Sequence, residues 1–190
     1  MADINVPEDV TIEDFFNKYV PEQFGAEIEN TDLSFLEGKE FTLQFDIDGK
    51  KYCIRVKDGK DFEVVEGGVD KPMLELRLGE DFWRKAVTGK VEGALDQFTD
   101  PGQMADANRY NNLAATKGKL DVELSMEDGS TEKVTLVFNG EENPEVTLKL
   151  SMGDWVSMQR KETDGQTLFM SGKMQFAGDT MFLMSLNNLM

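Results

Sequence analysis

The sequence contains no histidine and a single cysteine, and these two absences exclude several common enzyme chemistries. Without imidazole there is no Ser-His-Asp or Cys-His catalytic arrangement and no histidine ligand for a metal ion. With only Cys53 there is no internal disulfide and no cysteine-based zinc site. Cys53 lies in an alternating apolar and polar stretch, residues 51–56, which favours a small buried side chain over a reactive thiol.

Positive charge is also scarce. Lysine and arginine together number 20 against 37 aspartates and glutamates, so the formal net charge is −17. This balance argues against nucleic-acid binding, which requires basic patches, and against unassisted docking on anionic membranes. The alternative interpretation is that the acidity only keeps the chain soluble and apart from its neighbours.

Long apolar runs are missing as well. No segment approaches the roughly 18 apolar residues that a membrane-spanning helix needs, so we expect no stable membrane insertion. The first nine residues are acidic and have no signal-peptide pattern, so we expect a cytoplasmic protein. There is no Gly-rich phosphate loop, and the carboxylates between residues 80 and 106 have no spacing that fixes a pair. We therefore expect no catalytic residues, no metal and no cofactor.

The first element predicted is an amphipathic helix over residues 11–20. Thr11 can cap its N-terminus, Asp14 supplies an acidic residue three positions later, and Pro21 is expected to end it. An apolar stripe on one face should pack on a sheet, and it is formed by Ile12, Phe15, Phe16, Tyr19 and Val20.

From residue 41 the hydrophobic period changes to two. Residues 41–47, 51–56, 61–66 and 73–78 alternate and are separated by Asp-Gly and Gly-Gly turns, which predicts an antiparallel meander with one apolar face. Asp46 to Gly49 resembles the start of a calcium loop, but the later acidic ligands are missing, so the pattern indicates a hairpin.

The second half of the chain contains both the hydrophobic period of helices and that of strands. Helices are predicted over residues 80–89 and 103–115, and residues 91–100 are ambiguous. Strands are predicted over residues 117–124 and 133–138, with turns at Asp128-Gly129 and Asn139-Gly140. The inward residues expected on the second helix are Met104, Ala107, Leu113 and Ala114.

An internal repeat is suggested by two stretches 72 residues apart. Residues 72–83 align without gaps on residues 144–155, and both begin with proline, alternate through a strand and end with tryptophan, Trp83 and Trp155. A Gly-Lys pair follows in each copy. The pattern predicts two related units, each with a hairpin, a strand and a helix. The tryptophans are expected to be packing anchors at the strand-to-helix corners, or alternatively to line a ligand pocket.

The closing stretch is rich in methionine and phenylalanine. Unbranched thioether side chains adapt to irregular apolar partners, so the cluster is compatible either with a binding pocket or with an ordinary core. The segment 180–190 is interpreted as a core helix, with a lid or a partner-docking segment as alternatives.

The C-terminal unit resembles the sterol carrier protein-2 (SCP-2) family of lipid-binding domains. The resemblance lies in the strand and acidic-aromatic helix start at residues 146–155, the run 168–176 with its Gly-Lys, and Gly178-Asp179. Residues 41–83 also resemble the opening strands of that family. It implies an α+β sandwich, in which helices cover a twisted, mostly antiparallel sheet, with an apolar tunnel between the layers. The intervening residues 80–139 depart from the family pattern.

The resemblance implies non-catalytic binding or transfer of a sterol, fatty acyl chain or similar lipid. The expected organisation is an N-terminal helix and linker (1–40) followed by a lipid-binding domain (41–190) with halves 41–118 and 119–190. The alternative is a structural or dimerising module whose groove is filled by its own C-terminal segment, which would form a homodimer. The residues expected to contact the lipid are Phe82, Trp83, Val87, Met104, Leu113, Trp155, Met158, Leu168, Phe169, Met170, Phe176, Met181, Phe182 and Met184.

An anionic head group fits an acidic chain poorly unless a cation meets it. A neutral sterol or polycyclic lipid is the easier ligand. The cations considered for a head group are Arg77, Arg84, Lys85 and Lys173.

Overall fold

The computed structural model describes residues 6–91, 93–94, 106–186 and 189. Within the described residues, helix α1 runs through three consecutive segments and is followed by a short 3-10 helix (Ser34–Leu36), five further α-helices and eight strands. The segments of α1 are Ile12–Asp14, Phe15–Tyr19 and Val20–Glu29, and the other helices are α2 (Glu80–Val87), α3 (Ala107–Ala115), α4 (Met152–Gln159), α5 (Gly165–Met170) and α6 (Thr180–Leu186). The strands are β1 (Glu40–Ile47), β2 (Lys50–Lys57), β3 (Asp61–Glu66), β4 (Leu74–Leu78), β5 (Gly118–Ser125), β6 (Thr131–Phe138), β7 (Glu145–Ser151) and β8 (Gln175–Gly178).

The strands form one sheet in the order β3-β2-β1-β4-β6-β5-β7-β8. Neighbouring strands are antiparallel except for β1 with β4 and β5 with β7, which are parallel. The predicted α+β class, with a mostly antiparallel sheet, is therefore confirmed.

The predicted meander is wrong at its last strand, because β4 lies beside β1 and parallel to it, not beside β3. The connection after β3 is held by side chains of β1. Val69 donates its backbone N–H to Gln44 Oε1 at 2.7 Å, and Met73 donates its backbone N–H to Thr42 Oγ1 at 2.8 Å. Alternation of apolar residues predicts a strand but not its neighbour, and here polar side chains on β1 help to place the crossing segment.

The apolar face of the sheet is continuous across both halves. A row of residues in register crosses six neighbouring strands, and every member is buried. Because side chains alternate between the two faces of a strand, their neighbours along each strand point to the opposite face. The row consists of Tyr52, Phe45, Leu76, Leu136, Leu120 and Val146.

Helix α1 covers the N-terminal part of this face with aromatic rings. Phe16 is fully buried and stacks on Tyr52, with ring centroids 4.7 Å apart and an interplanar angle of 3°. The predicted cap is present, since Asp14 N donates to Thr11 Oγ1 at 3.0 Å. The prediction that Pro21 ends the helix is wrong. Pro21 is the second residue of the Val20–Glu29 segment and directly follows the π turn Phe15–Tyr19, where the regular i→i−4 hydrogen-bond pattern is already interrupted, so the helix continues past the proline.

The Asp-Gly hairpin after β1 is confirmed as a turn. Gly49 N donates to Asp46 Oδ1 at 2.9 Å, and Asp48 has a positive φ of 49°. Asp48 has a second role, since its Oδ2 accepts a hydrogen bond from Glu80 N at 2.8 Å. Because the N-cap residue of α2 is Gly79, which has no side chain, Asp48 supplies the cap that α2 lacks.

The opposite face of the sheet is polar and includes a buried carboxylate. Glu75 accepts hydrogen bonds from Gln44 at 2.8 Å, Lys51 at 3.0 Å and Arg77 at 2.8 Å. Burial alone would raise the pKa of Glu75, but these hydrogen bonds outweigh it and hold that pKa below its ordinary value. Cys53 is buried as predicted, and burial raises the pKa of its thiol to about 12, so the thiolate is disfavoured.

The two halves share a local order of elements. The β1–β2 hairpin is followed by β4, parallel to β1, and then by α2 with Trp83. The β5–β6 hairpin is followed by β7, parallel to β5, and then by α4 with Trp155. This order agrees with the two-unit pattern, and the internal repeat itself stays a prediction.

Candidate lipid-binding site

Helix α4 forms the corner between β7 and the helical layer. Ser151 caps it, since Asp154 N donates to Ser151 Oγ at 3.0 Å and Ser151 Oγ donates to Asp154 Oδ2 at 2.6 Å. This reciprocal cap fixes where the helix begins, and so fixes which residues face the sheet. The buried residues of α4 are Met152, Trp155, Met158 and Gln159.

Helix α5 brings a second group of apolar side chains next to α4. A Cβ added at Gly165 would lie 3.6 Å from Met174 Cε and 4.0 Å from Met158 Sδ, so these two methionines lie side by side below the start of α5. Met158, Leu168 and Met174 are all buried. The Asp164 side chain caps α5 by accepting a hydrogen bond from Thr167 N at 2.8 Å.

Four large apolar side chains near the end of the chain are exposed. The exposed fractions are 51% for Phe169, 77% for Met170, 78% for Met181 and 62% for Met184. Phe169 and the half-buried Phe176 have ring centroids 5.3 Å apart. All four exposed residues belong to α5 and α6, so we call them the exposed apolar set of these helices.

Helix α6 is anchored by Phe182, which is buried. Its ring lies 6.2 Å from that of Phe138 in an edge-on arrangement. Gly118 makes this possible, because a Cβ there would lie 2.7 Å from the Phe182 ring and 2.5 Å from the Pro144 carbonyl oxygen. Phe182 therefore packs where β5 begins, whereas Met181 and Met184 on the same helix face outward.

Trp83 lies under α1. It is fully buried, and its ring centroid lies 5.4 Å from that of Phe15. Trp155 belongs to the C-terminal half, where its indole N–H donates to the Ala94 carbonyl oxygen at 3.3 Å. The two tryptophans thus occupy matching places after their strands but pack against different parts of the chain.

The remaining predicted contacts are distributed among α2 and α3. Phe82 and Leu113 are buried and Val87 is half-buried, while Met104 lies outside the described residues. Ala107 is half-buried. Ala114 is exposed, so the expectation that it faces inward is wrong: the buried side of α3 carries Leu113 together with the partly buried Tyr110.

Each of the four cations considered for an anionic head group already has a carboxylate partner. Arg77 pairs with Glu75 and Glu142, both at 2.8 Å, and it alternates with Leu76 and Leu78, so it lies on the polar face of the sheet. The other pairs are Arg84 with Glu80 at 2.6 Å, Lys85 with Glu132 at 3.7 Å and Lys173 with Asp154 at 3.4 Å. A negatively charged ligand would have to compete with these partners.

Gln159 is a buried polar residue of α4 that was not identified from the sequence. Gln159 lies four residues after Trp155 on α4, and that spacing places both on one side of the helix. The sequence could have indicated this burial, because a glutamine one helical turn after a buried tryptophan lies on the same face of the helix. Gln159 is buried, as are Met152, Trp155 and Met158 of the same helix.

The model of the "SCP-2 sterol transfer family" matches residues 95–190 of this chain. The chain belongs to this family. Membership supports lipid binding or transfer as the general kind of function. The match covers the second half of the sequence and includes α3 to α6, and the predicted domain boundary at residue 41 stays a prediction.

Solved structures of sterol carrier proteins are similar to part of the chain. Sterol carrier protein 2 from Yarrowia lipolytica, in its apo form, is 18% identical with a TM-score of 0.37, covering 50% of this chain and 89% of that one. Domain 2 of the Helicoverpa armigera sterol carrier protein is 19% identical with a TM-score of 0.35, covering 54% and 84%. Sterol carrier protein 2 like 2 from Aedes aegypti is 14% identical with a TM-score of 0.34, covering 43% and 88%. No curated protein sequence matched the chain.

Among the residues that the structure describes, none of the helices has the length and apolar character needed to cross a bilayer. In the same residues, no group of three or more cysteine, aspartate or glutamate side chains is arranged to hold a metal ion.

Proposed function

We propose that this SCP-2 family member is a non-catalytic carrier that binds an apolar lipid between its sheet and the helices α4, α5 and α6. The observation that carries the proposal is the exposed apolar set of α5 and α6. Large apolar side chains on a surface mark places where a protein meets an apolar partner. Here they lie in the half of the chain that matches the family model, together with the buried Met152 and Met158 of α4 and the buried Met174 that follows α5.

The composition of α5 and α6 supports contact with lipid. Neither Gly165–Met170 nor Thr180–Leu186 contains a charged residue, so covering these helices with lipid removes no ionised side chain from water. Methionine side chains are flexible and polarisable, and they adapt to ligands of irregular shape. Each buried methylene of a ligand contributes about 0.8 kcal/mol, so an acyl chain or a sterol can bind without a charged anchor.

The charge pattern favours a neutral ligand. The four cations considered for a head group are already paired with carboxylates, and Arg77 lies on the polar face of the sheet. The net charge of −17 also repels an anion at long range. A sterol or another uncharged lipid is therefore the preferred ligand, ahead of an ionised fatty acid.

The first test is direct binding. Purified protein at micromolar concentration is titrated with a fluorescent sterol and with a fluorescent fatty acid, and native mass spectrometry of the protein as purified reports any lipid it carries. We expect saturable binding of at least the sterol. Absence of binding for both probes would overturn the proposal.

The second test concerns the exposed apolar set. In Met170→Gln and Met181→Gln the surface changes but the buried core does not, so we expect slower transfer of a fluorescent sterol between neutral vesicles and unchanged thermal stability. Ala114→Gln is the matched control, because Ala114 is also an exposed apolar residue on a helix but lies outside α5 and α6. Equal transfer rates in all three variants would argue against a role for these methionines.

A second candidate function is a dimerising module whose groove is filled by its own C-terminal segment. The burial of Phe182, Leu186 and Leu189 favours it, because this segment already places apolar side chains in the core. It predicts a lipid-free homodimer in native mass spectrometry, whereas the carrier predicts a bound lipid or an empty protein that accepts one.

A further inference from the structure

Gln159 is a buried polar residue with an unused hydrogen-bond acceptor. Its side chain is 7% exposed, and its Oε1 is buried without a hydrogen-bond partner. Leaving a buried acceptor unpaired destabilises a folded protein, so such a group calls for an explanation such as a missing partner.

The position of Gln159 places it beside the proposed lipid site. It is the last residue of α4, which packs on β5 and β7, and it lies one turn after Trp155 on the same side of the helix. Met158 precedes it and is buried next to Met174, as the space around Gly165 shows. The unpaired oxygen therefore lies in an apolar part of the C-terminal half.

Gln44 shows what a buried glutamine with a structural role looks like in the same chain. It is 2% exposed; its Nε2 donates to Glu75 Oε1 at 2.8 Å, and its Oε1 accepts from Val69 N at 2.7 Å. Both ends of that amide are satisfied by protein groups. Gln159 is also buried, but its acceptor has no partner.

We propose that Gln159 Oε1 accepts a hydrogen bond from the hydroxyl of the bound lipid, which makes the ligand a neutral lipid alcohol such as a sterol. This inference rests on the proposed function, and it adds the polar group that the site recognises. The acceptor oxygen of Gln159 needs a hydrogen-bond donor on the ligand, and an ionised carboxylate, an ether or an ester carries no such donor. A single well-placed polar group inside an apolar pocket is the usual way in which such sites orient a ligand.

The test compares two ligands that differ in one proton donor. Cholesterol and its 3-methyl ether each displace 1,6-diphenylhexatriene, an apolar fluorescent probe with no hydrogen-bonding group, from the wild type and from Gln159→Met. We expect the wild type to bind cholesterol about two- to tenfold more tightly than the ether, as one hydrogen bond allows. In Gln159→Met, which keeps a similar volume, this ratio should fall to about one while the affinity for the probe stays unchanged.

Thermal stability of the lipid-free protein gives an independent readout. Because Gln159→Met removes an unpaired buried acceptor, its Tm should rise, by about 2–4 °C for a chain of this length. Gln44→Met is the matched control and should lower Tm, because it breaks hydrogen bonds to Glu75 and Val69. Gln159→Leu provides a second variant with a different side-chain shape.

The outcomes separate the two proposals. If the wild type binds neither the probe nor cholesterol, the carrier function fails and this inference fails with it. If the probe binds but the ratio of cholesterol to ether affinity is the same in wild type and both Gln159 variants, only the inference is overturned. A fall in Tm for both Gln159 variants with an unchanged ratio would show that Gln159 is a packing residue.

Discussion

The two halves of the sheet carry helices of different character on the same apolar face. In the N-terminal half, Phe15 and Phe16 of α1 pack against Trp83 and Tyr52, and their rings are buried. In the C-terminal half, α5 and α6 place large apolar side chains in the solvent. One half closes over its core, and the other leaves apolar surface available for the proposed contact with lipid.

The largest expected effect tests the closed half. Phe16→Ala removes a fully buried ring that stacks on Tyr52, and a cavity of this kind lowers the free energy of unfolding by about 3–5 kcal/mol. Urea denaturation measures the change. Phe169→Ala is the control from the open half; its ring is 51% exposed, so we expect a change within about 0.5 kcal/mol. Equal losses of unfolding free energy in Phe16→Ala and Phe169→Ala would contradict the difference between the closed and the open half.

A second prediction asks how firmly α6 is anchored. Gly118→Ala places a Cβ 2.7 Å from the Phe182 ring at a φ of 129°, so we expect a loss of about 1–3 kcal/mol in the free energy of unfolding. Gly165→Ala meets only ordinary contacts, and we expect it to be neutral or stabilising by up to about 1 kcal/mol. If Gly118→Ala unfolds at the same urea concentration as wild type, Phe182 is not a firm anchor.

A third prediction compares ion pairs on the polar face of the two halves. Glu75→Gln disturbs a buried network with Lys51 and Arg77, and we expect it to lower the free energy of unfolding by about 1–3 kcal/mol at pH 7. Glu123→Gln, which breaks the pair between half-buried Glu123 and exposed Lys149 at 2.8 Å, should change the free energy of unfolding by less than about 1 kcal/mol.

The pH dependence of the Glu75 effect has a definite sign. The folded-state pKa of Glu75 is held below that of the unfolded chain, which is about 4.3. The ionised form therefore stabilises the fold above about pH 4.3, and this stabilisation is lost as pH falls through the folded-state pKa. Urea titrations from pH 7 to pH 3 should show the gap between wild type and Glu75→Gln narrowing at the acidic end. A gap that widens there would contradict the assignment.

The smallest effect expected concerns how the two matching helices begin. Ser151 caps α4 with its own hydroxyl, so Ser151→Ala should lower the free energy of unfolding by about 1 kcal/mol. The N-cap residue of α2 is Gly79, and the cap is supplied by the carboxylate of Asp48 in the β1–β2 turn, which accepts a hydrogen bond from Glu80 N. The matched variant for α2 is therefore Asp48→Ala. Chemical denaturation of both variants compares the two kinds of cap. No loss in Ser151→Ala would mean that water replaces its hydroxyl without cost.

The sequence was sufficient to predict most helices and strands, but not the order of all strands in the sheet. Asp-Gly pairs at 48–49 and 128–129 predicted hairpins because aspartate and glycine suit tight turns, and Asp48, Gly49 and Gly129 have positive φ in the structure. The position of β4 beside β1 was not predictable, because it depends on hydrogen bonds from Val69 and Met73 to polar side chains of β1. The continuation of α1 through Pro21 depends on the π turn that precedes it, which leaves no signal in the apolar periodicity.

For the candidate site, the sequence identified the apolar residues but not their orientations. Phe169 and Phe182 look equivalent in the sequence, yet one is exposed and the other is buried against Phe138. The difference depends on which side of each short helix meets the sheet, and α5 and α6 are too short for periodicity to decide that. Gln159 was overlooked because a polar residue at a helix end is ordinarily taken to be solvated.

The pairing of β4 with β6 joins the two halves along one continuous seam. Leu74 and Leu76 of β4 lie opposite Phe138 and Leu136 of β6, near the middle of the sheet. Neither half can lose its strands without exposing apolar surface of the other, so the seam should make unfolding cooperative. We expect a single transition, with the same midpoint whether it is followed by tryptophan fluorescence or by circular dichroism. The half proposed to bind lipid would then rest on a partner that unfolds only together with it.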